Sequence, residues 1–341
     1  MTIAAAPPHT SDQRDGTTAR VLLAWGAPLA LLALAVVLGL SLGAVTLSPA
    51  RVLNGLLDRN DPLAHTIVWD LRLPRVLLAV LVGASLGVAG ALLQGVTRNP
   101  LADPHILGLT AGGGLAAALA IRMSQDVPPS VLAPVAFGGS LAGAALLYGL
   151  SWRGGVSPVR LALSGVAIGS MLTAAITMVL VTSNLGTQAA LSFLAGGLFG
   201  RGWDEFYAVW PYCTAGLIAA MLLSRNMNIL SLGDEAAQSL GLGVERTRVL
   251  AIATAALLAG ASVSVAGMVA FVGLVIPHIA RYLTGDDHRS LVPLSAILGA
   301  ALVVYADLLA RTIDKPVEIP LGIVTAVAGA PFLLYMVRWR A

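Results

Sequence analysis

Two polar segments interrupt an otherwise apolar sequence, and they hold most of the residues that could do chemistry. The first, RNPLADP from Arg98 to Pro104, sets an arginine, an asparagine, an aspartate and two prolines at the end of an apolar run. Proline removes backbone donors, so this segment cannot continue a helix. Polar irregular backbone at membrane depth persists only where protein buries it or a water-filled cavity reaches it. It reads as either a rigid turn or a gate. The second, from Ser224 to Arg248, is SRNMNILSLGDEAAQSLGLGVERTR, the longest polar connection. Ser231 followed by Asp234 fits a capping box, and Asp234 to Leu240 gives two helical turns closed by Gly241. The pattern predicts a short amphipathic helix along the surface, either a solvated loop element or a docking site for a partner.

Other chemistries find little support. Lys315, the only lysine, follows Ile313 and Asp314 rather than a glycine-rich turn, so the chain has no P-loop and its energy source must be a separate subunit. No HExxH metal cluster occurs, and the GxSxG match at Gly83–Gly87 lies inside an apolar run rather than at a strand-to-helix turn, which argues against an intramembrane enzyme. His278, after Pro277, is a lone histidine at a helix end and reads as structural, and no metal or other cofactor is expected. An ion-coupled secondary transporter would place carboxylates deep in its spans, and Asp307, near a span end, is the one obvious candidate. Cys213 has no second cysteine to pair with. Arg72, Arg75 and Arg311 sit at expected outward helix ends, where positive charge runs against the positive-inside tendency. They serve either a partner or local pairs, Asp70 with Arg72 or Arg75 and Asp307 with Arg311 at helical spacing.

The elements that must position these residues follow from composition. Of 341 residues, 57% are hydrophobic and only 11% charged, with a mean hydropathy of +0.86. A soluble globular domain is excluded. The sequence pI of about 9.3 does not indicate nucleic acid, because the arginines lie singly or in pairs between apolar runs, where membrane topology explains them. A span needs about 20 apolar residues. Runs lie at Val21–Leu47, Val76–Val96, Ile106–Ile121, Val131–Leu150, Leu161–Thr182, Val209–Leu223, Leu291–Leu309 and Leu321–Val337, with a short non-spanning helix over Gln188–Phe199. Val249–Ala280 carries no charge and is too long for one span, and Gly260, Ser262, Ser264 and Gly267 predict a break in its middle. Two helices there give ten spans. Ten spans put twelve of the twenty Arg and Lys residues inside and eight outside, whereas nine would reverse the ratio.

The expected fold is therefore all-α: a polytopic membrane protein of about ten transmembrane helices, with both termini cytoplasmic. Residues 1–20 read as a disordered cytoplasmic tail and 21–341 as a single transmembrane domain. Glycines such as Gly83, Gly87, Gly90 and Gly95, near helical spacing, suit close helix packing in lipid. Ser164, Ser170, Thr173 and Thr177 are the polar residues of a span without charge. They suit a pathway lining, although each hydroxyl can equally bond its own helix backbone.

In order and spacing, RLPR at Arg72–Arg75, QGVTRNPLADPHILG at Gln94–Gly108 and LGDEAAQSLG at Leu232–Gly241 resemble the FecCD-type permeases of ABC importers for ferric siderophores, haem and cobalamin. FVGLVIPHIAR at Phe271–Arg281, ADLLAR at Ala306–Arg311 and EIPLGIVTAVAGAPF at Glu318–Phe332 extend the resemblance over nearly the whole chain. The resemblance implies the type II ABC importer permease fold in the bacterial inner membrane. It also implies a second copy of the chain or a close homologue, two ATP-binding cassette subunits carrying ATP and Mg, and a periplasmic or lipid-anchored substrate-binding protein. By similarity, Leu232, Gly233, Asp234, Glu235, Ala236, Leu240 and Gly241 couple to the ATPase. Asn99, Leu101 and Ser157 belong to the cytoplasmic gate, and Arg72, Arg75 and Arg311 contact the binding protein. The implied cargo is an iron chelate, a ferric siderophore first, with haem or cobalamin as alternatives.

Overall fold

The computed structural model describes residues 12–57, 61–124, 127–152, 158–182, 194–314 and 317–340, and the regular elements among them are helices. Helix α1 (Asp12–Ser41) is followed by the short α2 (Pro49–Leu57) and α3 (Pro62–His65). A π-helical turn (Thr66–Arg72) then leads into α4 (Leu73–Thr97). Then come α5 (Leu109–Met123), α6 (Pro129–Ser151), α7 (Pro158–Val181), α8 (Trp203–Ser231) and the six-residue α9 (Asp234–Ser239). The chain closes with α10 (Val244–Ala266), α11 (Val272–Thr284), α12 (His288–Ala310) and α13 (Leu321–Arg340).

Seven segments are long and apolar enough to cross a membrane: α1, the continuous stretch from Pro62 to Thr97, α6, α7, α8, α10 and α12. Shorter apolar helices, α5 and the Leu321–Tyr335 part of α13, join them. With α11 these make ten apolar helices among the described residues, roughly matching the ten transmembrane helices expected, although only seven are of spanning length. Residues 12–20, expected as part of a disordered tail, are helical, while residues 1–11 lie outside the described residues. Most of the short helix expected over Gln188–Phe199 also lies outside them.

The long run from Val249 to Ala280 breaks at Gly267, the last of the four residues expected to break it. Helix α10 continues through Gly260, Ser262 and Ser264, whose positions are all buried, and ends at Gly267 with φ of 64°. Serine hydroxyls at 262 and 264 bond back to the carbonyls of Leu258 and Ala261, each at 2.8 Å, so they do not interrupt the helix. Non-helical backbone from Gly267 to Phe271 then leads into α11, which at 13 residues is too short to span. Met268 and Val269 in this stretch are buried, as irregular backbone at membrane depth requires.

Helix α4 is the axis of the packing, and glycine permits it. A Cβ at Gly83 would lie 2.1 Å from the Gly299 carbonyl oxygen of α12, and one at Gly90 would lie 1.9 Å from the Gly273 carbonyl oxygen of α11. Helix backbones touch directly at both points, the close approach by which helices associate where lipid supplies no hydrophobic drive. The 25 residues of α4 separate Arg72 and Arg75 at one end of the bundle from Arg98 at the other by about 38 Å.

Candidate functional site

At the Arg98 end, α4 stops because Arg98 turns left-handed, with φ of 49°. The next peptides form a tight turn in which the Asn99 side-chain oxygen accepts the Leu101 N–H at 2.9 Å and the Asn99 carbonyl accepts the Ala102 N–H at 3.1 Å. Leu101 is left exposed at the tip. Beyond it the chain dives back into protein. The buried Asp103 carboxylate accepts the His105 N–H at 2.7 Å, and both it and Pro104 press on Gly273, where a Cβ would meet them at 2.9 and 2.7 Å. Gln94, one turn before the cap, donates to the carbonyls of Gly273 and Leu274 at 3.2 Å each and accepts from Arg281 at 2.5 Å. The turn is therefore pinned to the first part of α11. Ser157 lies outside the described residues.

Helix α9 packs beside this turn. Gly233 (φ 110°) and Gly241 (φ 80°) bracket it in backbone conformations that disfavour a side chain. Gly241 closes the helix as expected, but the capping box does not form. Ser231 belongs to the last turn of α8, and its hydroxyl bonds the Asn228 carbonyl at 2.6 Å. Asp234 is taken up by two arginines instead. Arg248 reaches both its carboxylate oxygens at 2.8 Å, and Arg98 pairs with the same carboxylate while donating to the Leu230 carbonyl at 3.1 Å. Arg248, only 1% exposed, also meets Glu245 at 3.3 Å, and Glu245 accepts from the Tyr148 hydroxyl. Ala237 is fully buried beneath the helix, whereas Leu232, Glu235, Ala236 and Leu240 face outward, the two leucines each 63% exposed.

Burial works against ionisation of Asp234, but the hydrogen bonds from Arg248 and Arg98 outweigh it and hold the carboxyl below the usual carboxylate range. A depressed folded pKa contributes stability that is fully present above the unfolded value of about 3.9 and is lost as pH falls through the folded value. Asp234→Asn should therefore lower the melting temperature of the purified chain by a constant amount between pH 5 and 8. The gap to the unaltered chain should narrow below about pH 4.

At the opposite end, Arg72, Arg75, Arg311 and Glu318 line a cavity of about 610 Å³ together with Gly43, Val45, Ile67 and Leu71. All three arginines point inward. Arg72, 6% exposed, donates to the carbonyls of Leu40 and Ser41 at 2.7 and 2.9 Å and to that of Val45. Arg75 grips Asp307 at 2.8 and 3.0 Å and Glu318 at 2.8 and 3.1 Å. Arg311 lies 3.5 Å from the same Asp307 and donates to the Gly39 carbonyl. Of the two local pairings weighed from sequence, Asp307 with Arg311 is present. Asp70 is exposed, and Asp307 and Glu318 hold Arg75 in its place.

Along α7, Ser170 and Thr177 lie on an exposed face with Leu163, Val166, Met171 and Met178, while Ser164 and Thr173 are half-buried. The Thr173 and Thr177 hydroxyls bond the carbonyls of Gly169 and Thr173 at 2.8 and 3.0 Å. Their polarity is thus spent on their own helix, and the face they share is mainly apolar. Among the described residues, no group of three or more His, Cys, Asp or Glu side chains is placed to hold a metal ion. His278 packs edge-on to Phe332, with ring centroids 5.8 Å apart.

An all-helical, multi-pass membrane protein with a polar turn locked to a short surface helix at one end and a buried ion cluster at the other is a transport permease. The FecCD transport family matches residues 31–339, and the chain belongs to that family. It is 42% identical over 319 residues to the Fe(3+)-citrate import system permease protein YfmE of Bacillus subtilis, covering 92% of this chain and 96% of that one. It is also 42% identical over 278 residues to the cobalamin import system permease protein BtuC of Halobacterium salinarum, covering 81% and 74%. A solved structure of a metal-chelate type ABC transporter in an inward-facing conformation aligns with a TM-score of 0.80 at 29% identity, covering 92% of this chain and 97% of that one. The chain is a membrane-spanning permease subunit of an ABC importer.

Sequence reasoning placed Arg98 and Arg248 in the two polar segments but missed their meeting at Asp234, and it missed the parts played by Glu245 and Tyr148. Glu245 and Arg248 at helical spacing were visible in GVERTR, but nothing in it pointed to Asp234, 14 residues earlier.

Proposed function

We propose that the chain imports an iron chelate, a ferric siderophore first and haem or cobalamin otherwise, across the bacterial inner membrane. It works as a pair with a second copy or close homologue, on two ATP-binding cassette subunits that carry ATP and Mg, and it receives cargo from a periplasmic or lipid-anchored binding protein. Residues 21–341 act as one permease domain, both termini are cytoplasmic, and the chain itself performs no catalysis and carries no cofactor. The Arg98 end is then the cytoplasmic end. The names of relatives at 42% identity support an iron chelate or cobalamin as cargo. The mainly apolar face of α7 suits passage of a bulky chelate that the pathway does not hold tightly.

One observation carries the assignment of the coupling site. Helix α9 shows solvent an apolar and acidic face, Leu232, Glu235, Ala236 and Leu240, while its other face is clamped by Asp234 and Ala237. A rigidly backed patch with exposed leucines is what a docking partner needs. Leu240→Asp is expected to leave the melting temperature unchanged and to cut recovery of the co-expressed ATPase on affinity-purified permease at least tenfold. Unchanged recovery would remove α9 from the docking surface.

At the periplasmic end, Arg72, Arg75 and Arg311 serve the binding protein through the cavity they line, with an acidic side chain entering from outside. Gate function rests with Asn99 and Leu101, joined by Ser157. Ser164, Ser170, Thr173 and Thr177 line the pathway, a reading that the exposure of Ser170 and Thr177 supports.

A further inference from the structure

We propose that Arg98 is a positioning residue that transmits movement of helix α9 to the gate turn, through its ion pair with Asp234. The inference rests on the assignment of α9 as the ATPase-coupling element. Arg98 is the residue immediately before Asn99, and its guanidinium reaches 136 positions along the chain to Asp234 and to the adjoining Leu230 carbonyl.

The two arginines on Asp234 differ in kind. Arg248 is 1% exposed, holds both carboxylate oxygens and is braced by Glu245, so it fixes Asp234 to α10. Losing Asp234 would leave the buried Arg248 charge with Glu245 alone. Arg98 is 35% exposed on its side chain, so this pair stands open to water and is weak. Arg98 can therefore follow Asp234 as it moves without unburying a charge. Its backbone adds a second argument. Arg98 occupies a left-handed cap where glycine would fit without cost and an ordinary L residue is disfavoured. What the arginine adds to the turn is its guanidinium. No other residue of the turn from Arg98 to Ala102 makes an ion pair among the described residues. When α9 shifts with the ATPase, Asp234 draws Arg98, and the gate residues Asn99 and Leu101 follow within three peptides.

The test uses the assembled permease–ATPase complex and needs no knowledge of the cargo. Cys213 is fully buried and is the only native thiol, so Leu101→Cys provides a single reporter at the tip of the turn. Labelling by a water-soluble maleimide is timed without nucleotide and with ATP and vanadate, in the Arg98 background and with Arg98→Gly, which keeps the left-handed cap while deleting the charge. With Arg98, nucleotide trapping is expected to change the labelling rate at least fivefold. With Arg98→Gly the change should fall below twofold while the ATPase still co-purifies at an unaltered ratio. Arg98→Lys, which retains the charge, should restore part of the response. A full nucleotide response in Arg98→Gly overturns the proposal, as does loss of the ATPase from that variant, which would make Arg98 part of the docking surface. If Leu240→Asp leaves ATPase recruitment intact, the coupling assignment for α9 fails first, a result distinct from both.

Discussion

Gly90→Ala is expected to leave almost no folded permease. The added Cβ would sit 1.9 Å from the Gly273 carbonyl oxygen and 2.5 Å from both its carbonyl carbon and Cα. Every atom it meets is backbone, so no side chain can rotate away, and relief requires α4 and α11 to separate. Overpacking usually costs about 1–3 kcal/mol, and a backbone-limited site belongs at or beyond the upper end. Three kcal/mol is a loss of more than about 100-fold in the folded ratio. The same displacement would pull Gln94 from the Gly273 and Leu274 carbonyls and loosen the seat of Asp103 and Pro104. Gly149→Ala, on α6 with no atom within 4 Å of the new Cβ, is the matched control and should be neutral or slightly stabilising. Recovery of monodisperse protein and thermal melting in detergent would separate the two. Comparable recovery of both would show that the α4–α11 contact is looser than described.

Asp307→Asn should have an effect of comparable size. Its carboxylate, 2% exposed, is shared by Arg75 and Arg311, which are 11% and 7% exposed at their side chains. Removing the charge leaves Arg75 with Glu318 alone and Arg311 with only the Gly39 carbonyl, beside a buried Arg72 already spent on carbonyls. Breaking a buried pair by deleting one partner costs about 3–5 kcal/mol, because the stranded charge stays buried. Asp307→Asn combined with Arg311→Met should recover much of that loss, since removing both partners removes the stranded charge. The double variant also separates two transport mechanisms. An ion-coupled carrier using Asp307 would lose gradient-driven uptake in any variant lacking the carboxylate, however well it folds. An ATP-driven importer should regain uptake in proportion to the folded protein recovered.

Much of the helical scaffold was legible because its signals are local. Apolar runs of spanning length gave the positions of the ten helices, and Pro100 and Pro104 marked where regular helix had to stop. Gly241, required at positive φ, closed α9 where the pattern placed it. Errors arose where local rules permitted more than one outcome. Ser231 looked like a cap for Asp234, but α8 ran on through it. Gly260 looked like a break, yet its missing side chain lets α10 approach Phe137 and Ala136 of α6 without ending the helix. The arginines near Arg72 raised the choice between partner contact and local pairing, and the fold supplied internal partners for each.

Composition and residue order alone determined that this is an all-helical membrane protein, because both the hydrocarbon thickness and the backbone limits of proline and glycine act on neighbours in sequence, and its motifs carried the resemblance to the FecCD-type permeases. Only the tertiary structure decided which charges meet. Arg75 finds Asp307 across 232 residues and Arg98 finds Asp234 across 136, and no periodicity encodes separations of that size. Those pairings exist because helix packing brings distant charges within reach of one another, and the buried one, Arg75 with Asp307, must be matched for the fold to hold.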